Sequence, residues 1–259
     1  TLHLAFAALL LVSLWKIYLS VEAKKSSVLM DYLEMSKPKL SALVLLTTFA
    51  GFFLSPAHVS FFYALGSLAL IAMVVSGAGL LNCYLERDID ALMKRTKDRP
   101  LPAKRLPAQN VLLVGLGLVL SGCIGLLWWV NTLTALLTAT AALLYLLAYT
   151  PLKPKTTWAL FVGALPGAIP ALLGFTAATG SITPMAMALF MILLVWQIPH
   201  FLAISLYSLE DYRAAQIATI PGTETISSTQ LRIAAYSLLL LFVSALPWYY
   251  GFGGNAYLV

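Results

Sequence analysis

Residues 61–83 read FFYALGSLALIAMVVSGAGLLNC, and 84–105 continue as YLERDIDALMKRTKDRPLPAKR. The first stretch carries no charged side chain and is apolar on every face a helix would present. A bilayer hydrocarbon core about 30 Å thick is crossed by roughly 20 such residues in an α-helix. The stretch therefore reads as a membrane span that emerges into water at its C-terminal end. Comparable runs lie on either side of it, at 1–19, 40–55, 111–130, 133–149, 158–178, 185–207 and 231–250. Of the 259 residues, 61% are hydrophobic and 10% charged, against about 25% charged in a soluble domain. The mean hydropathy is +0.89. Only helices or closed barrels satisfy their backbone groups inside a bilayer. Barrel strands alternate in polarity and these runs do not. The expected fold is all-α, a polytopic transmembrane helical bundle with about eight spans.

Basic residues divide the connections into two kinds. The 86–105 connection holds Arg87, Lys94, Arg95, Lys97, Arg99, Lys104 and Arg105 among the chain's 16 Lys and Arg. Lys24, Lys25, Lys37 and Lys39 precede the 40–55 run, Lys153 and Lys155 follow 133–149, and Arg213 and Arg232 follow 185–207. The intervening connections, SPAHVS at 55–60 and ATGSITP at 178–184, carry none. Excess Lys and Arg mark cytoplasmic loops, so alternate loops are expected on the cytoplasmic face of a plasma membrane, or of the inner mitochondrial membrane in a eukaryote. The same rule accounts for the net charge of +6, and no nucleic-acid partner is expected. Cys83 and Cys123 lie in or at the end of apolar runs, without metal or disulfide spacing, and read as packing residues. The 1–19 run lacks a basic n-region and a small-residue cleavage site, which favours a retained span over a signal peptide.

The chemistry concentrates at two helix ends. Asn82, Glu86 and Asp90 recur every four residues and form one stripe on a helix. Two carboxylates and an amide oxygen suit Mg²⁺, a hard cation that prefers oxygen ligands and bridges to substrate phosphates. Lys94, Arg95, Lys97 and Arg99 follow at once. Carboxylates that hold metal, next to cations that neutralise phosphate oxygens, are what a metal–diphosphate complex requires. A second acidic pair, Glu210 and Asp211, ends the segment WQIPHFLAISLYSLEDYRAAQ. At about 100° per residue, Trp196, His200, Tyr207 and Asp211 fall on one stripe. Asp88 points off the first stripe and reads as structural.

Four segments resemble the UbiA-type intramembrane prenyltransferases, and among them the heme O synthases (protoheme IX farnesyltransferases). DYLEMSKPKLSALVLLTTFAGFFL at 31–54 is similar to their opening, and NCYLERDIDALMKRTKDRPLP at 82–102 to their first Asn/Asp-rich motif. AYTPLKPKTTWALFVGALPGAIPALLGF at 148–175 resembles the central segment, and WQIPHFLAISLYSLEDYRAA at 196–215 the second motif with its Pro-His-Phe. The chain departs from the pattern at Glu86, where Asp is usual, and at Lys39, where Arg is usual. The resemblance divides the chain into an extra N-terminal span and linker at 1–25, readable as a fusion remnant, and a UbiA-type domain at 26–259 short of its last membrane helices.

The resemblance implies transfer of a farnesyl group from farnesyl diphosphate to a vinyl group of protoheme IX, with addition of water, to give heme O and diphosphate. The implied cofactor is Mg²⁺, with Mn²⁺ as its alternative. The implied surroundings are the lipid bilayer and a heme A synthase, fused or associated. Asn82, Glu86, Asp90 and Asp211 are then the catalytic metal ligands, with Glu210 beside them. Lys37, Arg87, Lys94, Arg95, Arg99 and Lys153 become diphosphate contacts, and Trp196, His200 and Tyr207 substrate contacts. Competing readings are a UbiA-type enzyme acting on a quinone precursor or chlorophyllide, a membrane transporter, and an oxidase assembly factor. Transporters carry ionisable groups near the bilayer midplane, whereas these carboxylates gather at one end.

Overall fold

Residues 27–252 are described by a computed structural model, and all regular structure among them is helical. Helix α1 (Val28–Met35) turns sharply into α2 (Pro38–Leu54). Then follow α3 (Phe61–Asp90), α4 (Ala108–Trp129), α5 (Thr132–Leu152), α6 (Ala159–Thr179) and α7 (Pro184–Tyr207). A short helix α8 (Leu209–Ala214) and a single turn α9 (Ile220–Thr223) lead to α10 (Ile226–Tyr249). Six of these helices are long and apolar enough to cross a membrane, or seven if α1 and α2 together make one span. The eighth expected span, 1–19, lies outside the described residues.

The run at 40–55 proves to be the second arm of a pair bent by 53°. The bend sits at Lys37, whose φ of 54° is left-handed, followed by Pro38 at the first position of α2. Proline disfavours the right-handed helical conformation in the residue before it, so the chain cannot run straight through. Side-chain caps begin most of the other spans: Ser60, Asn131, Thr183 and Thr225 each accept a hydrogen bond from the backbone N–H three residues on. Such caps satisfy donors that the first turn leaves open.

In lipid, apolar surface gains nothing by facing another helix, so association rests on close packing of small residues. Helix α3 packs along α4, and α2 along α6. A Cβ added to Gly77 would sit 2.7 Å from the Gly115 carbonyl oxygen, and one added to Gly174 2.0 Å from that of Thr48. These contacts admit only glycine. Many large apolar side chains point outward, among them Leu113, Leu120 and the 89%-exposed Trp128 on α4, and Leu241 and Phe242 on α10, while Ile71, Leu126 and Phe175 fill the core. Two buried hydroxyls return to their own helices, Thr48 Oγ1 donating to Val44 O at 2.9 Å and Ser67 Oγ to Tyr63 O at 2.7 Å, while Thr134 Oγ1 crosses from α5 to Thr176 Oγ1 on α6 at 3.0 Å.

The two ends of the bundle differ. At one, Tyr63 Oη and Asn131 Nδ2 donate to the carbonyls of Ala177 and Thr176. At the other, the loop after α3 meets α8 through buried Met93, Tyr212, Ala215 and Ile217. That packing brings the two acidic helix ends together.

Candidate active site

Helix α3 runs unbroken for 30 residues, so the four-residue repeat of Asn82, Glu86 and Asp90 becomes one inward stripe. All three are buried. Each meets a basic side chain from a different segment. Lys37 Nζ, from the bend between α1 and α2, donates to Asn82 Oδ1. Lys153 Nζ, just past α5, lies 2.8 Å from Glu86 Oε1. Arg99 Nη1, from the loop after α3, lies 2.7 Å from Asp90 Oδ2. Burial opposes the Arg99 charge, but the Asp90 carboxylate, by its charge and hydrogen bond, more than compensates and holds the guanidinium pKa above its ordinary value.

Lys37 reaches the stripe because its turn rests directly on α3. A Cβ on Gly79 would come within 3.1 Å of the Met35 carbonyl oxygen, which Cys83 Sγ also approaches at 3.7 Å. Sequence reasoning missed the residues that complete this wall. Tyr145 Oη accepts a 2.9 Å bond from Lys37 Nζ, and Thr150 Oγ1 one of 2.9 Å from Asn82 Nδ2. Tyr145 stands on a π-helical turn of α5, Leu144–Tyr149, and Thr150 caps that turn immediately before Pro151. Proline cannot donate to the carbonyl four residues back, and the wide turn passes the bond from Thr150 N to Tyr145 O. The turn leaves Tyr145 and Tyr149 stacked at 5.8 Å, and Gly163 makes room for the Tyr149 ring. Two tyrosines four apart beside Thr-Pro were the available signal.

The second stripe is corrected. Helix α7 stops at Tyr207, and Ser208 (φ −102°, ψ 21°) breaks it before α8. Asp211 thus sits on a separate helix, where its Oδ1 accepts a 3.2 Å bond from the Lys94 backbone N–H. Tyr207, the last residue of α7, is 92% exposed. Trp196 and His200 do share a face, with rings stacked at 4.5 Å and 15°. Glu210, Lys94 and Arg95 have exposed side chains, as does Asp88. Arg87 bends back on its own helix, donating to Tyr84 O at 2.8 Å with its guanidinium 4.6 Å from the Tyr84 ring centre.

Among the described residues, no three His, Cys, Asp or Glu side chains are grouped into a ready-made metal cage. The expected ligands are gathered at one end, with cations on the Glu86 and Asp90 carboxylates. The donor set is hard, all carboxylate and amide oxygen, and Asp90 Oδ1 is buried without a hydrogen-bond partner. A buried acceptor left open in this way fits a hard cation.

Residues 44–259 match the UbiA prenyltransferase family. The chain is 43% identical over 231 residues to the protoheme IX farnesyltransferase of Anaeromyxobacter dehalogenans (strain 2CP-C), covering 89% of this chain and 78% of that one. It is 46% identical over 194 residues to the protoheme IX farnesyltransferase of Sorangium cellulosum (strain So ce56), covering 74% and 69%. Among solved structures it is similar to a UbiA homolog from Archaeoglobus fulgidus bound to GPP and Mg²⁺, with a TM-score of 0.67 at 17% identity over 83% of this chain and 76% of that one. At such identity the likeness shows the fold alone.

Proposed function

This chain belongs to the UbiA prenyltransferase family, and we infer that it is a protoheme IX farnesyltransferase, a multi-pass membrane enzyme that converts farnesyl diphosphate, protoheme IX and water into heme O and diphosphate. The observation that carries this reading is the triple pairing on α3: Asn82 with Lys37, Glu86 with Lys153 and Asp90 with Arg99. Three cations from three segments converge on one helix face, beside an acid-bearing second helix. A neutral acceptor site has no use for such a density of buried charge, which costs several kcal/mol per ion to desolvate.

Asn82, Glu86, Asp90 and Asp211 would hold Mg²⁺, with Glu210 at the rim. The metal would supply positive charge against the departing diphosphate. Lys37, Lys153 and Arg99 lie where their ammonium and guanidinium groups neutralise phosphate oxygens as the allylic C–O bond breaks. The farnesyl carbon becomes an allylic cation, the haem vinyl group adds to it, and water captures the resulting cation with loss of a proton. Until then the apolar helices exclude water from the reacting carbons. Trp196 and His200 present a stacked, polar-edged and exposed surface on α7, roughly two to four helical turns before Asp211, as haem contacts. The loops that carry the site face the cytoplasm, as the density of Lys and Arg there indicates.

Membranes containing the protein, incubated with haem, farnesyl diphosphate and Mg²⁺, should yield a haem heavier by one farnesyl group and one hydroxyl. An unchanged haem mass together with prenylation of a quinone precursor would overturn the choice of acceptor.

A further inference from the structure

We propose that Arg105 is a positioning residue for the diphosphate site, a clasp that holds the 91–105 loop so that Arg99 stays seated on Asp90. The proposal rests on the reading above, in which Arg99 meets the diphosphate. Arg105 makes three bonds in three directions. Its Nε donates to Asp31 Oδ1 at 3.0 Å, its Nη2 to Glu34 Oε2 at 3.1 Å, and its Nη1 to the Asp98 carbonyl at 2.7 Å. The two carboxylates belong to α1, and Asp31 is buried. Asp98 immediately precedes Arg99.

The loop needs such a tie because it has no regular structure of its own. Turn bonds hold 99–105: Ala103 N to Arg99 O, Lys104 N to Leu101 O, and Arg105 N to Pro100 O. Lys104 closes the turn at a left-handed φ of 56°, which a non-glycine residue adopts only where its surroundings hold it there. The Arg105 side chain folds back across this turn to the residue that leads into Arg99. Leu101 and Leu106 pack with Met35, Leu80 and Cys83 beneath it. Helix α1 also leads directly into Lys37, so the clasp joins the segments that deliver two of the three cations on the α3 stripe. Only a planar guanidinium presents N–H groups in several fixed directions at once; an ammonium is a point charge.

The test is calorimetric titration of the detergent-purified full chain with inorganic diphosphate in Mg²⁺, with haem titration and thermal unfolding alongside. Arg105→Ala should weaken diphosphate binding about tenfold, the scale of one lost charge-assisted bond, and leave haem affinity unchanged. Arg105→Lys should also lose diphosphate affinity, at an unchanged Tm, and it serves in place of the alanine variant if that one fails to fold. Arg99→Gln should weaken binding too, and adding Arg105→Ala to it should cost little more. If Arg99→Gln weakens binding but Arg105→Lys binds as tightly as wild type, or if the two losses add in full, the clasp is refuted while the site reading stands. If wild type and Arg99→Gln bind diphosphate equally, the reading of Arg99 fails and the clasp with it. Equal losses of haem and diphosphate affinity with a lowered Tm would reduce Arg105 to a structural tie and overturn the proposal.

Discussion

At Asp90 the two carboxylate oxygens have different surroundings. Oδ2 is held by Arg99 at 2.7 Å, while Oδ1 is buried and bonded to nothing. Leaving a buried acceptor open costs about 1–3 kcal/mol, a cost that a bound cation would offset. Asp90→Asn should therefore lower kcat by about a hundredfold or more, and EDTA should stop turnover of the wild type. Full turnover in EDTA would refute the metal requirement. Glu86 differs, because its Oε1 already has Lys153 at 2.8 Å. Glu86→Ala strands a buried ammonium, and breaking such a pair costs about 3–5 kcal/mol, so both Tm and activity should fall. Glu86→Asp shortens the arm by one methylene but keeps the charge, and should retain much more of both. Equal behaviour of the two variants in a melting curve and a turnover assay would make Glu86 an ordinary acid.

Helices α3 and α7 show why periodicity succeeds in one place and fails in another. Glu86 and Asp90 are polar residues that extend an apolar helix without interruption, so a repeat of four places them correctly. The same arithmetic carried past Tyr207 goes wrong because the helix ends at Ser208. No proline or glycine marks that end; the break is made by packing of Tyr212 against Met93 and Ile217. Within α7 proper the spacing holds, and His200 stacks on Trp196. An ionisable residue inside a membrane helix is a functional candidate in its own right. His200→Ala should weaken haem binding, followed by its absorption band, while diphosphate binding stays nearly intact. Equal haem affinity in the two proteins would return His200 to packing.

The assembled bundle exposes many large apolar side chains and buries the acidic stripe of α3, unlike a soluble domain. Its two ends are chemically unlike, one closed by Tyr63 and Asn131 on backbone carbonyls, the other lined by the site. In a background lacking Cys83 and Cys123, Lys97→Cys and Ser181→Cys should react with a membrane-impermeant thiol reagent from opposite sides, Lys97→Cys from the cytoplasm. Labelling of both from one side would refute the topology.

Much of this could be read from the amino-acid order alone. The helical class and the spans among the described residues follow from runs of apolar residues, because a bilayer imposes the same length rule on any chain, and the fall of Lys and Arg is what the proposed sidedness rests on. The α3 stripe was equally legible, since its residues share one unbroken helix and a helix has a fixed repeat. What the order of residues did not contain is which cation faces which oxygen. Lys37 and Asn82 are 45 residues apart, and Lys153 and Glu86 67. Their meeting depends on the Lys37 bend, the π turn before Pro151 and glycines such as Gly79 that let backbones touch. Arg105 was one basic loop residue among several until the fold set α1 beside it. Pairings of this kind arise only when separate helices pack, and no local pattern encodes them.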